Sequence, residues 1–322
     1  MKKLIILLAV LLNAKFIVGV GGYDVCKKDN IYMPYDGKCE INSNITDFTK
    51  KEMPNVNAIS IWITKDFDFK NWFPPKSVNK NIVKKGYIPI FIIYWYRDDI
   101  SPKFITKNRT KYFNFIKKCN KYLSKIKGKK YIILNPEYNE NGVSSWAGFN
   151  DIMKHSYKIL KNKNRLIGYG LGDFGDYKVT FDYNNFKSFD NSFLAVKYFD
   201  FIAFQEMRAV TRDSKSGILN TPYRTLEFAK YLHNKWHKPT FLAYLALSSY
   251  HSQKLQTQVY KRFSELLPIF KKEAGLIGFN IFHLWDRPQQ VGYFKEAEKH
   301  FGIIDKYGNK KPSFFWFLDI RP

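Results

Sequence analysis

Short apolar runs alternate with amphipathic stretches along most of this chain. The apolar runs are typical of strands buried on both faces, and the amphipathic stretches place their apolar residues on one face of a helix. The predicted strands cover residues 56–64, 87–95, 131–134, 165–170, 199–204, 239–245 and 276–282. The predicted helices cover residues 107–127, 146–161, 221–234 and 257–272, and a closing helix begins at residue 313.

Regular alternation of strands and helices predicts right-handed βαβ units and a parallel sheet. These seven strands, with an eighth expected near residues 31–34, favour a (β/α)8 TIM barrel, an α/β fold of about 250 to 300 residues. A doubly wound open sheet is the alternative. No GxGxxG sequence follows the first strand, which counts against a nucleotide site. We therefore expect a single domain over residues 23–322.

The N-terminus has the features of a signal peptide. Lys2 and Lys3 precede an apolar run at residues 4–12 that is too short to span a bilayer. Cleavage could follow residues 12–14 or residues 18–22, and we assign residues 1–22 to the signal peptide. An uncleaved anchor is the alternative. Because no later segment resembles a transmembrane helix, we expect a secreted or periplasmic protein.

The cysteine content suits an exported protein with one disulfide. Cys26 and Cys39 flank a turn-rich stretch and are the expected pair, which leaves Cys119 on a predicted helix. Three reduced thiols are the alternative. No His/Cys spacing resembles a zinc site, so we predict no metal and no cofactor.

The chain is strongly basic. Lys and Arg number 53 against 28 Asp and Glu, a formal net charge of +25. Such a surplus favours adsorption to polyanions. The lysines are nevertheless scattered, and no block resembles a nucleic-acid motif, so we predict no nucleic-acid partner. A basic envelope protein that binds an anionic polymer remains one alternative for the function.

Glu137 stands at the most informative position in the sequence. The apolar run at residues 131–134 ends at Asn135 and Pro136, and Pro136 cannot donate to a sheet ladder. The run therefore presents Glu137 at the carboxyl end of a buried strand. In parallel α/β folds this is the end where ligands bind.

Polar and aromatic residues also follow the other predicted strands. Carboxylates, amides and Trp together are typical of a sugar site, since glycoside hydrolysis needs two carboxyl groups and aromatic faces stack on sugars. The residues that we expect to bind substrate are Trp95, Asn135, Tyr138, Asn139, Trp146, Asp173, Tyr244, Asn280, Trp285 and Asp286. Trp95 and Trp285 could instead belong to the core.

The motif Pro136-Glu137-Tyr138-Asn139 resembles the end of the fourth strand in glycoside hydrolases of clan A, and family 26 most of all. Residues 301–312 also resemble the usual clan A ending, in which a Gly-aliphatic-aliphatic-Asp turn precedes Lys-Pro and the last helix. The resemblance implies a (β/α)8 barrel that cleaves polysaccharides, with Glu137 as the general acid/base.

The sequence departs from clan A at the seventh strand. Tyr244 stands where the family has its nucleophilic Glu, and no carboxylate lies between Pro239 and Glu265. Glu206 is the best substitute, with Asp173 and Asp286 behind it. Glu206 could instead form a surface ion pair with Arg208 or Arg212.

Two further consequences of this departure stay open. Tyr244 could itself act as a nucleophile, as in sialidases, or serve only in hydrogen bonding and packing. If Glu206 faces Glu137, a separation of about 5 Å would imply retention of configuration and roughly 6.5 to 9.5 Å would imply inversion.

The sequence therefore predicts an exported, monomeric glycoside hydrolase, with Glu137 and Glu206 catalytic and a polysaccharide or oligosaccharide as substrate. The missing seventh-strand Glu motivates an alternative of a different class, a barrel that binds carbohydrate without cleaving it.

Overall fold

The structure is a computed structural model of the 322-residue chain. It describes residues 15–21, 24–28, 31–34, 43–97, 100–136, 142–171, 186–187 and 190–320, with only the backbone at 24–28, 32–34 and 43. The strands in these ranges are β1 (Ile17–Gly21), β2 (Asp24–Lys28), β3 (Ile31–Pro34), β4 (Ser43–Asn44), β5 (Ala58–Thr64), β6 (Ile88–Tyr94), β7 (Lys130–Leu134), β8 (Arg165–Gly170), β9 (Phe201–Arg208), β10 (Thr240–Leu247) and β11 (Leu276–Ile281).

Eight of these strands form a closed parallel barrel, which confirms the predicted (β/α)8 fold. Around the barrel the order is β1-β11-β10-β9-β8-β7-β6-β5, and β1 pairs with β5 to close it. The remaining strands form a small antiparallel sheet in the order β3-β2-β4. This small sheet follows the carboxyl end of β1.

The helices follow the strands as the sequence pattern predicts. They are α1 (Ile45–Glu52), α2 (Pro75–Asn81), α3 (Pro102–Ser124), α4 (Phe149–Leu160), α5 (Lys215–Trp236), α6 (Gln253–Glu273) and α7 (Pro312–Leu318). Within the described ranges, 3-10 turns occupy Val83–Lys85, Leu194–Tyr198 and Lys295–His300. In the part of the chain that the structure describes, no helix is both long and apolar enough to cross a membrane.

Side chains alternate between the inside of the barrel and the helix layer. On β9, Phe201 and Ala203 belong to the apolar cluster inside the barrel, whereas Phe204 packs edge-on against Phe228 of α5 at 5.7 Å. Period-two alternation of this kind is the geometry of any strand. It decides which strand residues face the barrel interior.

The first barrel strand differs from the prediction. The run at residues 31–34 is β3 of the small sheet, and the eighth barrel strand is β1, within the stretch assigned to the signal peptide. All five residues of β1 are buried. Signal peptides and buried strands are both short apolar runs, which explains the confusion.

Cleavage after residue 22 would remove β1 from the barrel, and the domain boundary at that residue stays a prediction. Residues 1–14 lie outside the described residues, and a signal peptide that ends at residues 12–14 stays a prediction. A Cβ atom on Gly19 of β1 would lie 2.6 Å from Asn280 Oδ1. This position needs glycine because β1 lies close to the Asn280 side chain of β11.

Candidate functional site

Four aromatic side chains meet inside the barrel near the carboxyl ends of its strands. They are Trp62 of β5, Tyr94 of β6, Tyr244 of β10 and Phe282, which follows β11. The Trp62 ring centroid lies 5.7 Å from Tyr94, 5.2 Å from Tyr244 and 5.9 Å from Phe282. Tyr244 is buried, whereas the other three are half-buried. We call these four residues the aromatic floor. We call the end of the barrel at which the carboxyl ends of its strands lie the mouth of the barrel.

Of the aromatic floor, only Tyr244 was expected from the sequence to bind substrate. Trp62, Tyr94 and Phe282 lie within predicted strands and were not among the expected ligand-binding residues. Their positions in the alternating pattern of each strand could have identified them, because every second residue of a strand faces the barrel interior. Trp62 shares the inward side of β5 with Ala58, and Tyr94 shares that of β6 with Ile90 and Ile92.

Asn280 lies inside the barrel, as expected for a ligand-binding residue, but it is fully buried. Its Nδ2 atom donates to the carbonyl of Ile281 at 3.2 Å. On the inward side of the chain, Asn280 stands two residues before Phe282. It is therefore in the layer beneath the aromatic floor.

The chain leaves β7 at the mouth through Asn135 and Pro136. A Cβ atom on Gly170, the last residue of β8, would lie 2.7 Å from the Leu134 carbonyl and 3.0 Å from Pro136 Cα. The ends of these neighbouring strands are therefore in close contact. Glu137 is the next residue of the chain, and Glu137, Tyr138, Asn139 and Asp173 lie outside the described residues.

Asn135 points away from the mouth toward helices α3 and α4, and its role in substrate binding stays a prediction. Its Nδ2 atom donates to Tyr112 Oη of α3 at 2.7 Å and contacts Met153 Sδ of α4 at 3.4 Å. The backbone of Asn135 has a φ of 47°. Asn tolerates this left-handed conformation better than most residues, and here it turns the chain out of the strand.

Glu206 also points away from the barrel interior. Its Oε2 atom accepts a hydrogen bond from Thr225 Oγ1 of α5 at 3.3 Å, and its Oε1 atom lies 2.7 Å from Arg208 Nη2. Both charged side chains are buried. Glu206 shares the helix side of β9 with Phe204, while Gln205 and Met207 take the inward positions.

This orientation counts against Glu206 as the second catalytic carboxylate, a role that stays a prediction. A side chain on the helix side of the sheet does not reach the space in front of the aromatic floor. The ion pair with Arg208 that the sequence left open is present, and it is buried rather than at the surface.

The three predicted sugar-binding tryptophans pack into the protein rather than onto the aromatic floor. Trp95 contacts Tyr96 and Tyr112, with centroids 5.1 and 5.6 Å away, on the helix side of the sheet. Trp285 packs against Phe48 of α1 at 4.9 Å. Trp146 is half-buried against the core that the helices share with the sheet. Trp95 and Trp285 are therefore core residues.

Asp286 is a buried anchor for the C-terminal part of the chain. Its Oδ1 atom lies 2.6 Å from Lys311 Nζ and accepts a hydrogen bond from the Gly302 amide at 3.0 Å. Burial raises the pKa of Asp286, and the charge of Lys311 opposes that shift. Both Asp286 and Lys311 are buried in this pair, and the role of Asp286 in substrate binding stays a prediction.

His283 follows the aromatic floor and is buried. Its ring centroid lies 4.0 Å from that of Phe282. Burial lowers the pKa of His283 to about 3, and the positive charge of Arg287 adds to the effect. The imidazole is therefore neutral at neutral pH.

The described residues contain no group of three His, Cys, Asp or Glu side chains that could hold a metal ion. Cys119 is a buried free thiol on α3. Cys39 lies outside the described residues, and only the backbone of Cys26 is described. The pairing of Cys26 with Cys39 therefore stays a prediction.

Comparison with known proteins finds similarity in structure alone. No protein-family model matches the chain, and no curated protein does. A fungal β-1,4-galactanase superposes with a TM-score of 0.66 at 11% identity, covering 95% of this chain and 100% of the galactanase. The family 26 β-mannanase BoMan26A of Bacteroides ovatus gives 0.63 at 10% identity, covering 98% and 92%.

A family 128 endo-β-1,3-glucanase of Sorangium cellulosum gives a TM-score of 0.52 at 12% identity, covering 85% of this chain and 94% of the glucanase. The similar structures thus include clan A glycoside hydrolases of families 5, 26 and 128. At these identities the likeness shows the TIM-barrel fold, and it does not single out family 26.

Proposed function

We propose that this protein is an exported glycoside hydrolase that acts on a polysaccharide, with Glu137 as its general acid/base. The observation that carries the proposal is the position of Pro136. It ends the fourth barrel strand, β7, at the mouth, and Glu137 follows it directly. The half-buried rings of Trp62, Tyr94 and Phe282 supply aromatic surface at the same end of the barrel.

In this proposal the aromatic floor binds the apolar face of a sugar ring, and Glu137 gives a proton to the glycosidic oxygen as the bond to the anomeric carbon breaks. A second carboxylate must then attack that carbon or activate a water. Glu206 faces the helices and Asp286 is paired with Lys311. Asp173, three residues beyond the end of β8, is the candidate that remains of those the sequence offered.

A barrel that binds carbohydrate without cleaving it is the second candidate. The observation that favours it is Tyr244, which occupies the seventh-strand position where clan A has its nucleophile. Tyr244 is buried beneath Trp62 and Phe282, at centroid distances of 5.2 and 5.1 Å. Burial of its ring favours a packing role over a role as nucleophile.

Reducing-sugar release from a panel of neutral and acidic polysaccharides tests these two functions. Wild type is compared with Glu137→Gln and Asp173→Asn. Glu296→Gln is the matched control because Glu296 is exposed and pairs with Lys299. A hydrolase loses at least about 100-fold in rate in both test variants and keeps its rate in the control.

Affinity electrophoresis on the same polymers separates binding from cleavage. Binding without release, unchanged by Glu137→Gln and weakened by Trp62→Ala, would support the non-catalytic barrel. Absence of both release and binding would contradict both functions. Each variant is first checked for the wild-type thermal unfolding transition, because Trp62 also packs in the barrel interior.

Export is part of the proposal and has its own test. Lys2, Lys3 and the apolar run at residues 4–12 support a signal peptide. Because β1 begins at Ile17, cleavage must occur at or before residue 16 to leave the barrel complete. N-terminal sequencing of the mature protein would reveal the site, and a start at residue 23 would contradict the barrel closure.

A further inference from the structure

Two loops at the mouth are fastened together beside the aromatic floor. Thr211, in the loop after β9, donates from Oγ1 to the Phe294 carbonyl at 2.9 Å. Arg212 Nε donates to the Tyr293 carbonyl at 2.9 Å, in the loop after β11. The Asp213 carboxylate accepts from the Ala209 amide at 2.9 Å. These bonds hold the backbone on both sides of Arg212.

The Arg212 guanidinium is held in orientation by the Tyr293 ring and by the hydrogen bond from its Nε atom. Its central carbon lies 4.2 Å from the centroid of the Tyr293 ring, a cation–π stack. Arg212 is exposed, and none of the carboxylates that the structure describes forms an ion pair with it. Nε is occupied by the Tyr293 carbonyl, so the two terminal NH2 groups are the donors that a ligand would meet.

A guanidinium held in this way is suited to an oxyanion. The planar fork of an arginine matches a carboxylate, sulfate or phosphate with parallel hydrogen bonds. Stacking on Tyr293 limits the rotamer entropy that a free surface arginine would lose on binding. The Tyr293 ring is itself 57% exposed and offers aromatic surface beside the fork.

A series of ring contacts connects the aromatic floor with Tyr293, on which Arg212 stacks. Phe282 of the floor lies 6.1 Å from Phe301, and Phe301 lies 5.6 Å from Phe294. Phe294 in turn lies 5.0 Å from Tyr293. Phe301 and Phe294 are buried, so these contacts show how near Arg212 and Tyr293 lie to the floor. A polymer seated on the floor and extending over the loops after β9 and β11 would reach Arg212.

The net charge of the whole chain favours an acidic polymer over a neutral one. The carboxylate of Glu298 is buried and accepts from the Phe294 amide, and that of Glu296 pairs with Lys299. The basic and acidic residues of 282–300 are equal in number, so the positive excess belongs to the chain as a whole, with its formal net charge of +25. An excess of this size raises the concentration of anionic ligands around the protein.

We propose that Arg212 and Tyr293 form a subsite for an acidic sugar, in which the Arg212 fork binds the carboxylate, sulfate or phosphate of the sugar unit. The inference rests on the proposed function, because it takes the aromatic floor as the place where the polysaccharide binds. It assigns the substrate to the acidic polysaccharides and names the residues that select it.

Affinity electrophoresis with two pairs of polymers tests the subsite. Polygalacturonate is compared with its carboxyl-reduced form, and dextran sulfate is compared with dextran, so the two pairs separate carboxylate from sulfate recognition. The proteins are wild type, Arg212→Ala, Arg212→Lys, Trp62→Ala and Arg262→Ala. Arg262 is the matched control because it too is exposed and lies 5.6 Å from a tyrosine ring, but on α6.

Loss of the fork should weaken binding of the preferred acidic polymer by about tenfold or more in Arg212→Ala, the effect of one charge-assisted bidentate contact. Binding of the neutral partner should stay within about twofold, because no charge is recognised there. Arg212→Lys should restore only part of the loss, since lysine keeps the charge without the fork.

Equal weakening of acidic and neutral polymers by Arg212→Ala, or equal losses in Arg212→Ala and Arg262→Ala, would overturn the subsite. So would full affinity in Arg212→Ala. Weakened binding in Trp62→Ala together with an unaffected Arg212→Ala would remove the subsite and leave the proposed function intact. If Trp62→Ala does not change the affinity for any of the four polymers, the proposed function fails as well.

Discussion

Glu206 Oε1 lies 2.7 Å from Arg208 Nη2, and both side chains are buried between the barrel sheet and helix α5. The residues are two apart on β9, so they share one side of the strand. Removing one partner of a buried ion pair destabilises the fold, because no water solvates the charge that is left in the interior.

We therefore expect Glu206→Gln to destabilise the protein by about 3 kcal/mol, since it leaves the buried Arg208 charge without its ion-pair partner. Urea unfolding measures this. Glu227→Gln, which breaks a surface pair with Lys230, should cost less than about 1 kcal/mol. Hydrolysis per folded molecule should be unchanged in Glu206→Gln, and loss of hydrolysis at wild-type stability would contradict the placement of Glu206.

Lys311 and its neighbour Lys310 offer a matched comparison. Lys311→Met leaves Asp286 charged in a buried site and should cost about 3 kcal/mol at pH 8. Lys310→Met breaks only a partly exposed pair with Glu52 and should cost less than about 1 kcal/mol.

The cost of Lys311→Met should also depend on pH. Burial raises the pKa of Asp286 in the folded state, so the folded protein holds a proton on this group more readily than the unfolded chain. Protonation of Asp286 therefore stabilises the folded protein at low pH. This stabilisation is lost as the pH rises through the pKa of Asp286 in the folded state. Urea unfolding at pH 5 and pH 8 should therefore show the smaller cost at pH 5, and equal costs would contradict the assignment.

The buried His283 should make stability depend on pH in the opposite direction. Its pKa is about 3 in the folded state, against an ordinary value near 6.5. Between these values the unfolded chain binds the proton and the folded protein does not, so stability is lost as the pH falls below about 6.5. At pH 4.5 the loss from this group should be about 2 to 3 kcal/mol relative to pH 8.

Urea unfolding of His283→Asn across the same pH range checks this expectation. The variant has no imidazole to titrate, so its stability should fall less steeply than that of wild type between pH 6.5 and pH 4.5. Parallel pH profiles for the two proteins would show that another group causes the acid dependence.

Gly170→Ala should disturb the strand end that leads to Glu137. The added Cβ atom would lie 2.7 Å from the Leu134 carbonyl and 3.0 Å from the Pro136 backbone, so the backbone itself must shift. Overpacking of this kind costs about 1 to 3 kcal/mol in stability. If Glu137 is the general acid, the rate of hydrolysis should fall about 100-fold, since a shift near 1 Å has that effect.

Gly168→Ala is the control on the same strand. Its Cβ atom would meet the Phe201 side chain, lower in the barrel and away from Pro136. We expect a comparable loss in thermal stability with little change in hydrolysis per folded molecule. Equal kinetic losses in the two variants would show that β8 as a whole, rather than its contact with Pro136, determines the rate.

Most of the barrel was predictable because the apolar face that each strand or helix buries is visible as a pattern in its own stretch of sequence. Residues 131–134 form β7 as predicted, and residues 107–127 lie largely within α3. The exception is β1, which the sequence assigned to a signal peptide. Its place is decided by pairing with β5 and β11, residues that are far away in sequence.

The candidate site was less predictable, because a position at the end of a strand does not fix the side on which the residue lies. Asn135 and Trp95 follow the ends of β7 and β6, yet both contact the helix layer. Tyr244 and Asn280 do face the barrel interior, but both are buried there. Trp62, a strand residue that the sequence analysis passed over, lies in the aromatic floor.

By itself the sequence determined the (β/α)8 architecture and the end of β7 at Pro136, since hydrophobic periodicity and the missing amide of proline act locally. The tertiary structure decided which strand closes the barrel, that Glu206 pairs with Arg208 against α5, and that Arg212 stacks on Tyr293. These relationships depend on the closure and alternating side-chain directions of the whole barrel, which bring distant parts of the chain into contact.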